Sequence, residues 1–353
     1  MEGKRTYHMT HRLPLFGLMA LLAAGTAHAQ LPRIVVQGTG TPQVFTDLST
    51  AVAAAIADDH IYLSGGNFDV AGDLVVDKTL HFVGAGIHPD SSSVTGVTSI
   101  TTTGDTQVLT SATGSTFTGI KFMNRMQYGD GNGNDSPTGI LFQRCEFVFQ
   151  AHLGPFSETV IDECIFRHRL YGYDGTALVK RSIFTYYGNG THQPIGSFST
   201  GGLTMDHCTV IGGRVSNCAN ATLTNCVFSR DNAPVWQSNG VTMTNNLCVS
   251  PNLTSNTTPG ATIGNVLNAD PATLFVNETN DNYEVTDDIH LTPGSVGIGM
   301  ATDGTNVGIY GTNSPYKPGS VPLNPHFRAA TVAPATQPNG DLPVNIRVAS
   351  QTH

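Results

Sequence analysis

A short pattern recurs between Phe117 and Cys248, and a chain that repeats itself at this interval has few folds open to it. The pattern is apolar-x-x-small-x-apolar, with the middle slot usually Cys, Asn or Ser and the last most often Phe. Copies occur at Phe117/Ile120/Phe122, Phe142/Cys145/Phe147, Ile161/Cys164/Phe166, Val179/Ser182/Phe184, Met205/Cys208/Val210, Leu223/Cys226/Phe228 and Met243/Asn246/Cys248. Middle slots follow one another at intervals of 18 to 26 residues, a solenoid period.

Two residues before most opening positions stands another inward candidate: Ile140, Thr159, Ala177, Leu203, Ala221 and Val241. Each pair gives the period-two alternation of a short strand with one buried face. The polar dipeptides that follow, such as Gln143-Arg144 and Asp162-Glu163, bend the chain before a second strand carries the Phe inward. One copy is too small to fold alone, because a buried side chain of this kind contributes only about 1.5–3 kcal/mol. Stacked coils whose strands run one way pair in parallel at about 4.8 Å per coil, so like residues sit above like residues. A helical repeat is excluded, since the units break into Gly, Asn and Thr where i, i+3, i+4 apolar spacing would be needed.

On these residues the chain resembles the right-handed parallel β-helix family, the fold of pectate lyases and many secreted bacterial proteins. The expected class is all-β: a single-stranded right-handed parallel β-helix, or solenoid, with an N-terminal amphipathic capping helix. The fold is shared by lyases, hydrolases, epimerases and adhesive proteins, so it does not by itself assign an activity.

Residues 1–29 read as a secretory signal peptide: Lys4, Arg5 and Arg12 precede the apolar run Leu13 to Ala24, and Ala27-His28-Ala29 supplies the cleavage site. The expected product is secreted, to the extracellular space, cell surface or periplasm, with no membrane span after cleavage. Residues 30–311 are assigned to the β-helix and its cap. A helix is expected from Thr46 to Ala57, with Thr46 as N-cap, Asp47 in the first turn and an apolar face of Leu48, Val52, Ala55 and Ile56. Asp288 to Gly311 resembles the closing coil of secreted β-helix proteins. Residues 312–353 form a Pro-rich segment and a capping strand in which Val344, Ile346 and Val348 alternate.

The formal net charge is −9 with charged residues at only 12%, and no basic run follows the signal peptide, which disfavours nucleic acid as a partner. An anionic polysaccharide would need a local basic patch. Of six cysteines, Cys145, Cys164, Cys208 and Cys226 share the small inward slot, the position of buried free thiols rather than of disulfides or metal ligands.

Two constellations could carry chemistry. Down the stack, the dipeptides before the small slot read Gln143-Arg144, Asp162-Glu163, Lys180-Arg181 and Asp206-His207. The family resemblance implies a role for such groups, because β-helix polysaccharide lyases set a Lys or Arg base beside carboxylates that neutralise substrate or hold calcium. On that pattern Lys180 or Arg181 would take the proton alpha to a uronate carboxyl, with Asp162, Glu163 and Asp206 around a cation. Calcium is the only cofactor implied. Alternating charge on a solvated ladder that fixes the register explains the same residues without a substrate. The second constellation is aromatic: Tyr128, Tyr171, Tyr173, Tyr186, Tyr187 and Trp236 fall in segments leaving successive coils at equivalent points, where rings can stack on sugars. A calcium-loop-like Asp130 to Asp135 lacks the sixth-position Gly and twelfth-position Glu, and motifs for serine hydrolases, zinc proteases and nucleotide enzymes are absent from the sequence.

The sequence therefore points to a secreted solenoid whose partner is a polysaccharide or cell-surface glycan, bound without catalysis or as a surface or matrix module. The alternative is a polysaccharide lyase acting on uronate-containing glycans by proton abstraction.

Overall fold

The computed structural model describes residues 32–88, 96–131, 133–185, 193–200, 202–278, 280, 282–320, 326–333 and 335–349. The expected signal peptide lies outside them. The expected alternation of short strands and bends is realised as three long sheets, here A, B and C, of twelve, nine and nine strands. From Asp59–Leu63 onward the chain visits A, B and C in turn: Asp59–Leu63 in A, Gly66–Val70 in B, Leu74–Val76 in C, then Leu80–Val83 in A again. Each strand pairs in parallel with its counterpart one circuit later, for example Ile140–Gln143 with Glu158–Asp162. The architecture is all-β and solenoid-like. At its start Ile34–Gln37 pairs antiparallel with both Gln43–Phe45 and Asp59–Leu63.

Register places like on like in the interior. Phe82, Phe117 and Phe142 stack on sheet A with centroids 4.9 Å apart, and Phe122, Phe147, Phe166 and Phe184 stack on sheet B at 4.6 to 5.3 Å, spacings at which offset rings attract. Beside them runs the small-slot ladder of Cys145, Cys164, Ser182, Cys208, Cys226 and Asn246. Cys145 N–H points at Cys164 Sγ (3.4 Å), Cys164 N–H at Ser182 Oγ (3.1 Å) and Cys226 N–H at Asn246 Oδ1 (2.9 Å). Thus the slot is filled by small groups that also satisfy the N–H groups freed where the chain turns from A to B. All six cysteines are buried and free.

The helix α1 spans Leu48–Ala54, shorter than expected, and its N-cap is Asp47, not Thr46: the Asp47 carboxylate accepts the Thr50 N–H at 2.7 Å. Leu48, Val52 and Ala55 are buried, whereas Ile56 is exposed, because the chain has left the helix before it.

The corner between sheets A and B departs most from the expectation of solvated dipeptides. Its second residues, Arg144, Glu163, Arg181, His207, Asn225 and Asn245, all adopt left-handed φ between 44° and 57°, an uncommon conformation for Arg and Glu. Their side chains are covered by residues 297–320, a strap running back along the coils. Asn245 Nδ2 donates to Met300 O (2.8 Å), Asn225 exchanges hydrogen bonds with Thr302 (2.9 and 3.0 Å), Arg181 Nη1 donates to Ser314 O, and Lys317 N–H donates to Glu163 Oε2 (3.2 Å). The strap is needed because the outer face of sheet B is also apolar: Ile165, Ile183, Val227 and Leu247 form a second core with Val307, Ile309 and Tyr316 of the strap and Phe275, Tyr283 and Ile289 before it.

Asp288 to Gly311 is accordingly not a closing coil. Asp288–Leu291 pairs antiparallel with Phe275–Asn277, and the segment after it lies along existing coils. The expected boundary at 311/312 falls inside the strap. Val344–Ala349 does not add to the solenoid edge either; it pairs antiparallel with His326–Val332.

Candidate functional site

Sheet C presents the outer surface on which the polar and aromatic groups converge. Its outward positions form one column in register: Gln107, Gln127, His152, Tyr171, Gly196, Ser216 and Trp236. At the corner just before each of these strands runs a second column, Asp105, Arg125, Gln150, Arg169, Pro194, Arg214 and Pro234, linked by bonds such as Met126 N–H to Gln150 O and Ala151 N–H to Arg169 O. Both columns follow from the alternation of the strands: the inward residues Met126, Ala151, Leu170, Ile195, Val215 and Val235 are buried, so their neighbours on either side point out.

Three groupings stand on this surface. Arg125 is paired with Asp105, Nη2 to Oδ2 at 2.6 Å, and Gln127 Nε2 donates to the same carboxylate at 3.2 Å. Arg169 lies over the Tyr171 ring at 4.5 Å, donates from Nη1 to Tyr171 Oη (2.9 Å) and from Nη2 to Gln193 Oε1 (3.0 Å). Arg214 lies over the ring of Trp236 at 4.7 Å. Tyr171 and Tyr173 stack with centroids 5.6 Å apart, and both meet the ring of His152, at 4.8 and 5.2 Å. Tyr171, Tyr173, Trp236, Arg169 and Arg214 are all half-buried, each keeping an edge to solvent while its other side is fixed.

His152 is 3% exposed. Burial, helped by the Arg125 charge, pushes its pKa down to about 4, so the imidazole is neutral at ordinary pH. Its Nε2 lies 3.1 Å from Gln150 Oε1, whereas its Nδ1 and the Nε of Arg169 have no hydrogen-bond partner among the described residues. Burial, and after it the neighbouring Arg230 cation, lowers the pKa of Arg214.

The residues expected from the sequence are divided between two sides of the molecule. Tyr171, Tyr173 and Trp236 lie on sheet C. Tyr128 does not: it is fully buried and its hydroxyl is 2.7 Å from Thr159 Oγ1, because its strand, Met126–Tyr128, turns that ring inward. It has no face to offer a sugar. Tyr186 and Tyr187 lie outside the described residues. Lys180 is on the outer face of sheet A, in register between Asp162 and Asp206, and makes no ion pair among the described residues. Arg181, by contrast, is forked onto Asp162 at 2.7 and 2.8 Å, beneath the strap.

The expected cation site is not assembled. Glu163 is buried against Arg144 (Nε to Oε2, 3.1 Å), Asp162 is engaged by Arg181, and Asp206 by His207 Nδ1 (2.9 Å) and Asn225 Nδ2 (3.0 Å). Among the described residues no three His, Cys, Asp or Glu side chains gather as a metal would need. Asp162 and Glu163 share one coil and Asp206 lies on another, and each carboxylate is turned to a cation or donor of the protein itself. The arginine column on sheet C carried a usable sequence signal that the expectation missed: an Arg directly before an inward apolar residue, at Arg125-Met126, Arg169-Leu170 and Arg214-Val215. Comparison of the chain with family models, curated proteins and solved structures finds no match.

Proposed function

We propose that this chain is an exported right-handed parallel β-helix, with α1 closing its N-terminal end, that binds carbohydrate on the outer face of sheet C without catalysis, as a surface or matrix module. The observation that carries this reading is the pairing of half-buried aromatic rings with arginines, Arg169 on Tyr171 and Arg214 on Trp236. A half-buried ring keeps apolar surface for a pyranose, while guanidinium and amide groups beside it are donors for hydroxyls. Gln150 and Gln193 add acceptors. Binding needs no metal in this scheme.

The test is a glycan array followed by calorimetry on the hits with Tyr171→Ala and Trp236→Ala. Both substitutions should weaken binding about tenfold or more, the effect of losing a stacking contact of about 1.5 kcal/mol. Unchanged affinity in both would remove sheet C as the site.

A polysaccharide lyase acting on uronate glycans is the second reading, and Lys180, standing between the Asp162 and Asp206 strands without an ion pair among the described residues, is what favours it. Calcium would then have to be recruited from solvent by carboxylates that now hold protein cations. Formation of unsaturated uronate from pectin or alginate, lost in Lys180→Ala, would support it; the non-catalytic reading expects no such absorbance.

A further inference from the structure

Arginine occupies every second position of the corner column on sheet C, with Gln150, Pro194 and Pro234 filling the alternate coils after Arg125, Arg169 and Arg214. Coils are one strand spacing apart, so successive arginines of the column stand about 10 Å apart along the axis. An extended β-linked glycan advances by roughly one strand spacing per sugar, and a chain laid parallel to the axis would meet a guanidinium at every second sugar. The column alongside these cations is uncharged, with His152, Gly196 and Ser216 buried and Tyr171 and Trp236 half-buried.

Resting on the proposal that sheet C binds glycan, we infer that the ligand is a linear polysaccharide carrying one anionic group on every second sugar, aligned with the solenoid axis. A homopolymer with an acid on each sugar places half of its charges over coils that offer only Gln150 or proline, where nothing compensates their lost hydration. A neutral polymer leaves the arginines unused. Arg169 is the centre of the arrangement, since its contacts among the described residues are with neutral groups: the Tyr171 hydroxyl and ring and the Gln193 amide. Its Nε is buried and lacks a partner among the described residues, and it lies against Gly196, where a Cβ would sit 3.5 Å from Nη2. Arg125 shares its charge with Asp105, so that end of the column contributes less than the middle. The anion is a carboxylate or a sulfate, either of which a guanidinium binds through paired N–H donors.

The experiment compares four probes at equal sugar concentration: hyaluronan oligosaccharides (one carboxylate per disaccharide), a carrageenan with one sulfate per disaccharide, polygalacturonate (one carboxylate per sugar) and neutral cello-oligosaccharides. At least one alternating probe should bind about tenfold tighter than both polygalacturonate and the neutral probe, and which of the two it is identifies the anion. Arg169→Gln should lose about tenfold on that probe and flatten its salt dependence, with Arg214→Gln weaker in the same direction. Lys78→Gln, a charge removed beside α1, should change neither, and melting curves of each variant report whether it folds. Polygalacturonate binding as tightly as the alternating probes, or Arg169→Gln leaving affinity intact, overturns the inference. Equal binding of neutral glycans overturns it while sparing the sheet C reading, whereas no binding of any glycan sinks both.

Discussion

Arg144 and Glu163 face each other across adjacent coils, with Nε to Oε2 and Nη2 to Oε1 both at 3.1 Å and 3% of either side chain exposed. Both hold left-handed backbone conformations at the A–B corner, and Glu163 also receives the Lys317 N–H of the strap. One pair thus joins two coils and the segment that covers them.

Removing one member of this pair leaves the other charge buried without its partner. Glu163→Gln is expected to destabilise the fold by about 3–5 kcal/mol, and adding Arg144→Met should recover part of that loss. Equilibrium urea unfolding of the single and double variants measures both. A loss below about 1 kcal/mol for the single variant would place the pair in water instead.

The strap should behave as part of the core. Ile183 is fully buried on the outer face of sheet B, in the cluster shared with Ile309 and Tyr316. Ile183→Ala is expected to cost about 2–5 kcal/mol and to open residues 297–320 to limited proteolysis. Stability like that of the parent, with an uncut strap, would mean the face is not covered in solution.

Acid should weaken the fold through two histidines. Burial depresses His152 and His168 to about 4 from the usual 6.5. A base whose folded pKa is lowered stays neutral in the fold while the unfolded chain takes up the proton, so this stability is complete above pH 6.5 and is lost as pH falls toward 4. Melting temperature followed from pH 7 to pH 4 should drop, and His152→Gln should make the drop shallower. Identical slopes in the two proteins would contradict the burial of His152.

Thiols give the alkaline counterpart. Burial raises Cys218 and Cys248 to about 12 from 9.0, and their contribution is present below pH 9 and lost as pH climbs toward 12, where the unfolded chain ionises first. The native protein should therefore resist a thiol reagent at pH 8, and all six cysteines should react after denaturation. Rapid labelling of any of the six in the native state would contradict the interior ladder.

How much of this was legible in the sequence differs by element. The interior was, because Phe117, Phe142 and Phe147 and the Cys145, Cys164, Cys208 and Cys226 slots recur at a fixed place in each coil, and burial selects for that place. The strap was not, since residues 297–320 bury only a few widely spaced apolar side chains, among them Val307, Ile309 and Tyr316, and add backbone groups such as the Lys317 N–H and the carbonyls of Met300 and Ser314 that no sequence pattern marks. The corner residues misled for a related reason: polar dipeptides such as Asp162-Glu163 suggest a solvated turn, and only the cover laid over them makes Glu163 a buried group. On sheet C the rings of Tyr171, Tyr173 and Trp236 were visible as candidates. The inward direction of Tyr128 was hidden because one residue's shift in a strand of three reverses its face.

The most direct check of the sheet C assignment uses Trp236, the single tryptophan of the chain, as its own reporter. Titrating a glycan that binds by calorimetry while recording tryptophan emission should give a saturable change with the same midpoint, moved about tenfold higher in Arg169→Gln. Binding by calorimetry with no change in the emission of Trp236, and with full affinity retained in Tyr171→Ala, would place the ligand elsewhere on the molecule.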